Sequence, residues 1–173
     1  MSISRRTRLS IAGAVALITG VGAVVLAVQL VSGGGGRASS PLRLRERAAV
    51  TPFTGFREAH VDFDGRCRRV VVADTSARRE QGLRGHVDLG EYAGMLFVFS
   101  DDTDVAYTMA GVTAPLDIGW YSADGRRVGQ AHMAACPYRD QAHCPMYRSG
   151  RRYRLALETP GGSGIAGGLA PCG

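Results

Sequence analysis

The 173-residue sequence contains no lysine; all 21 of its basic residues are arginine. An arginine-only composition fits a GC-rich genome as readily as any function, so it supplies no chemistry by itself. Charge excess is nearly missing too. The formal net charge is +6, but Arg5, Arg6 and Arg8 precede the first acidic residue, and beyond Val31 the 18 basic and 15 acidic residues leave only +3. That excludes a dedicated nucleic-acid binder, whose footprint is a concentrated basic face. Neither the Gly-x-Ser-x-Gly elbow of hydrolases nor a His-Glu-x-x-His zinc helix occurs. No repeated strand–helix alternation is present, which argues against a doubly wound parallel sheet. Hydrophobic residues make up 45% of the chain, too many for wholesale disorder. The length suits one domain rather than two.

What is there begins with a greasy segment. Ile11 to Val31 is 21 residues with no charge and a single amide, Gln29. As a helix it would span roughly 31 Å, the thickness of a bilayer core, whereas a secretory h-region is about 7–15 residues. No cysteine follows it to carry a lipoprotein anchor. The three preceding arginines, unopposed by acid, place residues 1–10 in the cytoplasm and everything beyond the span outside. The expectation is a single-pass signal anchor in the plasma membrane, with secretion after signal cleavage as the alternative. Ser32 and a run of four glycines open a polar, Arg-rich stretch over residues 32–55 that reads as a flexible tether.

Residues 56–173 read as β structure. Glu58 to Asp64 alternates weakly, and Asp64-Gly65 is a two-residue hairpin signal leading into Cys67 to Ala73. Asp74-Thr75-Ser76 has N-cap character, so a short helix over Ser76 to Gln81, stopped by Gly82, is expected. Gly94 to Phe99 is a fully apolar run, read as a buried strand. Val105 to Met109, Leu116 to Tyr121 and Arg127 to His132 follow. In the last strand, Arg152 to Glu158, Tyr153, Leu155 and Leu157 alternate against Arg152, Arg154 and Glu158. Short strands at this spacing with one short helix predict an all-β, antiparallel sandwich or small barrel.

Cys67, Cys136, Cys144 and Cys172 all lie beyond the apolar span, where oxidation is expected. Four cysteines allow three pairings. Cys136 with Cys144 is favoured by the short loop between them and the proline after each, leaving Cys67 with Cys172. Closing the short loop would contribute about 2–3 kcal/mol and the long one about 4–5 kcal/mol on the chain-entropy estimate. A zinc site from His132, Cys136, His143 and Cys144 is the alternative. It suffers because His143 and Cys144 are adjacent, an awkward way to supply two corners of one tetrahedron. No metal and no cofactor is expected.

An ordered set of short motifs carries a resemblance. It comprises Val72-Ala73-Asp74-Thr75, Gly82-Leu83, Gly94-Met95-Leu96-Phe97-Val98-Phe99, Met109, Pro115-Leu116-Asp117-Ile118 and Ala123-Asp124-Gly125. Cys136-Pro137, Cys144-Pro145-Met146-Tyr147 and Tyr153 to Glu158 complete it. Over about residues 70–168 the chain resembles the domain of unknown function 192 family. The resemblance implies a compact, mostly antiparallel β sandwich or barrel of jelly-roll type, and no established activity. The family's Trp-Met-Lys-Asn-Thr stretch is replaced here by Thr108-Met109-Ala110-Gly111-Val112.

Candidate site residues follow from the motifs. Alternation puts Leu116, Ile118 and Trp120 on one face of their strand and Asp117, Gly119 and Tyr121 on the other. Asp117 is therefore either a structural acid or a ligand contact, with Glu158 as its possible companion in an acid/base pair. Tyr107 and Met109, beside the altered stretch, are candidate ligand contacts; Trp120 reads as core. Gly162-Ser163-Gly164-Ile165-Ala166-Gly167 spells a dinucleotide fingerprint, but no helix can follow it, so it is set aside. The leading expectation is a membrane-tethered extracytoplasmic β domain that binds an envelope polymer or a protein partner, with no nucleic acid. An envelope hydrolase using the carboxylate pair, or a structural protein without a small-molecule site, are the alternatives.

Overall fold

The computed structural model describes residues 40–86 and 88–172. The predicted cytoplasmic tail, apolar span and most of the tether lie outside these residues. Among the described residues no helix is long and apolar enough to cross a membrane.

Ten strands and one α-helix form along the chain: β1 Arg47–Ala48, β2 Arg57–Phe63, β3 Arg66–Ala73, α1 Ser76–Gln81, β4 Met95–Thr103, β5 Tyr107–Thr108, β6 Leu116–Tyr121, β7 Arg127–Met133, β8 Met146–Tyr147, β9 Tyr153–Pro160 and β10 Ala170–Pro171. The β2–β3 hairpin turns at Asp64-Gly65, whose φ angles of 58° and 71° are both positive, as a type I′ turn requires. Thr75 caps α1 by accepting the Arg78 N–H through its side chain, and Gly82 ends the helix at φ 51°. These local signals were legible because each depends on a residue and its immediate neighbours.

The topology departs from the antiparallel expectation. Eight strands form one mixed sheet in the order β1-β2-β3-β4-β9-β6-β7, with β10 pairing on β2, while β5 and β8 make a separate two-stranded ribbon. β3 and β4 run parallel, Val71 opposite Met95 and Ala73 opposite Phe97. A parallel pair needs a long crossover, which α1 and the loop to Gly94 supply. No closed barrel forms among the described residues.

Because the central strands are covered on both sides, they read as continuous apolar runs rather than alternating ones. One face of the sheet carries Val71, Met95, Phe97, Ile118, Trp120 and Ala156 in a core that continues into Tyr107, Met109 and Met133. The other carries Val61, Val70, Leu96, Tyr121, Leu155 and Leu157, covered by Ile165 and Leu169 from the C-terminal loop. Cys67 pairs with Cys172 and Cys136 with Cys144, each pair with Cα atoms 5.9 Å apart. The first ties the end of the chain to β3. The second closes the loop between β7 and β8.

Candidate functional site

β9 lies between β4 and β6, so Glu158 sits in the middle of the sheet. It is paired with Met95 on one side and Ile118 on the other, and only 5% of it is exposed. The alternation that groups Glu158 with Arg152 and Arg154 on a polar face holds only for a strand with one wet side; in this central strand both sides are covered. The approach of β4 is enforced by Gly94. A Cβ there would lie 2.1 Å from the Glu158 carbonyl oxygen, so no other residue fits without moving a backbone.

The Glu158 side chain faces a cleft of about 700 Å³. Its walls come from α1 and the turn after it (Arg79, Glu80, Leu83, Arg84), from β4 (Phe97, Phe99), and from the β5 region (Val105, Tyr107). The Glu158 carboxyl has no hydrogen-bond partner among the described residues. Burial pushes its pKa up from 4.5 to about 8, against the opposing field of Arg84. At neutral pH it is a carboxylic acid rather than a carboxylate.

Two arginines line this cleft, and they differ. Arg79 is committed: its Nη1 donates to the carbonyls of Asp74 (2.8 Å) and Val98 (2.9 Å), and its guanidinium lies 4.8 Å from the Phe99 ring centre. Arg84 is exposed and its guanidinium makes no hydrogen bond or ion pair with a described residue, although its field acts on Glu158. The Tyr107 hydroxyl is buried and makes no well-formed hydrogen bond. Its neighbour Tyr153 donates to the Val105 carbonyl at 2.6 Å. Burial first, then the field of Tyr153, raises the Tyr107 pKa well above the ordinary phenol value.

The predicted site residues are thus divided. Tyr107 and Glu158 share the cleft. Met109 is fully buried in the core and does not line it. Asp117 lies on the other side of the sheet. Ile118 is opposite Glu158, while Asp117 is opposite Thr159, and residues directly opposite share a face. A carboxylate pair acting on one bond must face one substrate; here the sheet stands between the two acids.

Asp117 instead works as a latch. Its Oδ1 lies 2.7 Å from His132 Nδ1 on β7, and its Oδ2 accepts the N–H groups of Gly162 (2.8 Å) and Gly164 (3.2 Å). Burial raises its pKa, but the hydrogen bonds from His132, Gly164 and Gly162 outweigh that and hold it below the ordinary value. The glycines of the false dinucleotide fingerprint do present their amides to an anion, and that anion is the protein's own. Cys136 and Cys144 are bonded to each other, and the described residues contain no cluster of three or more metal-ligating side chains.

A second buried acid escaped the sequence reading. Glu58 on β2, 1% exposed, receives Arg69 Nε (2.9 Å) and Nη2 (2.6 Å), the Tyr92 hydroxyl (2.6 Å) and Arg47. Burial opposes its ionisation, but Arg69, Tyr92 and Arg47 together lower its pKa to about 2. Arg84 was also missed. One arginine among 21 carries no sequence signal; only the placement of the α1 turn over β9 singles it out.

The fold and cleft define a small, cystine-bonded mixed β domain with a single buried acid facing a hollow whose walls mix aromatic and apolar side chains with arginines and a rim glutamate. The chain belongs to the DUF192 family, described as Uncharacterized ACR, whose model matches residues 59–171. No functionally curated protein matches the chain. Among solved structures, it is similar to a protein of unknown function from Novosphingobium aromaticivorans, with TM-score 0.59 and 24% identity over 79% of this chain and 99% of that one. It is also similar to a protein from Sinorhizobium meliloti provisionally described as a transcription regulator, with TM-score 0.53 and 24% identity over 64% of this chain and 88% of that one. At that identity the likeness concerns the fold.

Proposed function

We propose that this chain is a membrane-tethered binding module, held outside the cytoplasm by its N-terminal apolar segment, with the cleft over β4 and β9 as its ligand site. One observation supports it above the rest: Glu158, buried along most of its length, turns a carboxyl with no hydrogen-bond partner among the described residues toward a hollow of ligand size. A carboxyl that opens on a cleft and has no partner within the described residues keeps its hydrogen-bonding capacity for a ligand. The tether is supported by the 21-residue apolar span, the unopposed arginines before it, and cystine chemistry suited to an oxidising compartment. The alternative of hydrolysis by Asp117 with Glu158 loses its basis, since the two acids do not meet.

The test has two arms. In a thermal-shift screen of the full-length chain against small molecules of the envelope, a true ligand raises the melting temperature of the wild type but not of Val105→Trp. Val105 is half exposed on the cleft wall, so a bulky ring there fills the hollow without entering the core. Hits that stabilise both proteins equally, or none at all, refute the cleft as the site. Recovery of the chain in the soluble cytosolic fraction with free thiols refutes the tether.

A further inference from the structure

We propose that the cleft recognises an amphipathic carboxylic acid, its carboxylate meeting Arg84 and the Glu158 carboxyl and its apolar body lying along Phe97, Phe99 and Val105. This rests on the reading of the cleft as a ligand site and adds the chemical class of the ligand.

The charges around the hollow carry the inference. From α1 come Arg79 and Glu80, from the turn after it Arg84, from β5 the neutral phenol of Tyr107, and from β9 Glu158. Arg79 is spent on backbone carbonyls and on Phe99. Glu80 is exposed at the rim, where water screens it. That leaves Arg84 as the uncommitted cation and Glu158 as the buried partnerless group. A guanidinium offers two parallel N–H donors matched to a carboxylate. A carboxylic acid kept neutral by an apolar site donates its O–H to an anion, a known device for binding developing or resident negative charge. Both groups line the one cleft, and both are donors that a ligand carboxylate can accept from.

An amine is the wrong partner. It would have to ionise Glu158 inside a site whose burial opposes ionisation, while sitting against Arg84. A purely apolar ligand would displace water from the Glu158 hydroxyl and leave it unpaired. A carboxylate satisfies both donors at once, and the rings of Phe97 and Phe99 receive the hydrophobic remainder.

The experiment is a ligand-observed NMR titration of the full-length chain in dodecyl maltoside, with detergent alone as blank. The probes share one body: 3-phenylpropanoate, 3-phenylpropanamide and 3-phenylpropylamine. The expected result is binding of the acid at least tenfold tighter than the amide, with no detectable binding of the amine. Arg84→Gln, a change at an exposed side chain, should weaken the acid at least tenfold and leave the amide unchanged. Acid affinity in the wild type should fall about tenfold between pH 8 and 9.5 as Glu158 ionises. Glu158→Gln, which keeps an N–H donor, should retain binding but lose that pH dependence. Equal binding of all three probes, abolished by Val105→Trp, overturns the acid preference while sustaining the cleft as a site. Tighter binding of the amine also overturns the preference. If no probe binds, both readings fall together.

Discussion

Glu158 makes a prediction about stability that needs no ligand. Its pKa is about 8 in the folded chain against 4.5 in the unfolded one. The folded state therefore holds a proton that the unfolded state has released at any pH between these values. Stability then falls as pH rises, by about 1.4 kcal/mol per unit for one group. The contribution is fully present below pH 4.5, declines up to about pH 8, and is level beyond. At pH 7 the accumulated loss is about 3 kcal/mol, a large share of the 5–15 kcal/mol typical of a domain. Glu158→Gln removes the titration while keeping the shape. Burying an amide instead has its own penalty of about 1–3 kcal/mol, so absolute stabilities do not decide the matter. The slope does. Urea denaturation with disulfides intact, followed by the emission of Trp120, the chain's single tryptophan and a core residue, gives both curves. Histidines and other titrating groups cancel in the difference between the two proteins. Between pH 5 and 8 the advantage of the variant should grow by about 1 kcal/mol per unit. A difference that stays flat across that range would refute the claim that Glu158 is buried and unpaired.

Two further acids should respond in the opposite direction. Glu58→Gln removes the charge that Arg69, Tyr92 and Arg47 surround, and breaking a buried ion cluster from one side should destabilise by about 3–5 kcal/mol in urea denaturation at pH 7. Because the Glu58 pKa is lowered to about 2, its contribution is present above pH 4.5 and should vanish as pH falls toward 2, so wild type and variant converge in acid. Asp117→Asn should lower stability by about 1–3 kcal/mol. It should also speed hydrogen exchange at the Gly162 and Gly164 amides, since the carboxylate that accepts them is gone, while probe binding at the cleft on the opposite face stays unchanged.

Local features of the fold were legible, and relational ones were not. The hairpin at Asp64-Gly65, the capped helix at Ser76–Gln81 and the strand Leu116–Tyr121 each depend on short-range chemistry, and each forms where its residues indicate. The parallel pairing of β3 with β4 left no local mark. The run Val70-Val71-Val72 says that both faces are covered, not which neighbour covers them. The same gap governs the site. Tyr107 and Glu158 belong to the cleft, but Asp117 and Glu158 look equivalent in sequence, each ending or interrupting an apolar strand. Only the register of β6 on β9 sends them to opposite faces. Arg84 acquires its role solely because the α1 turn is carried over β9 by a crossover that no residue pattern announces.

Glu58 and Glu158 are both buried on sheet strands, yet one is held ionised and the other neutral, and the difference lies wholly in their partners. Around Glu58 the fold supplies two guanidinium groups and a phenol, which suffices to hold a charge out of water. Around Glu158 it supplies strand neighbours that bury it and, among the described residues, no hydrogen-bond donor, with Arg84 acting on it only through its field. The first arrangement stabilises the domain at neutral pH; the second weakens it. A leucine or methionine at position 158 would fill the same strand without that loss, because replacing an unpaired buried polar group by an apolar one is generally neutral or favourable. Local rules broken at a net loss of stability are found in natural proteins chiefly where function requires them. Structure alone would favour an apolar residue here, and the presence of this acid directs the search for function to the cleft above β9 rather than to the better-bonded Asp117.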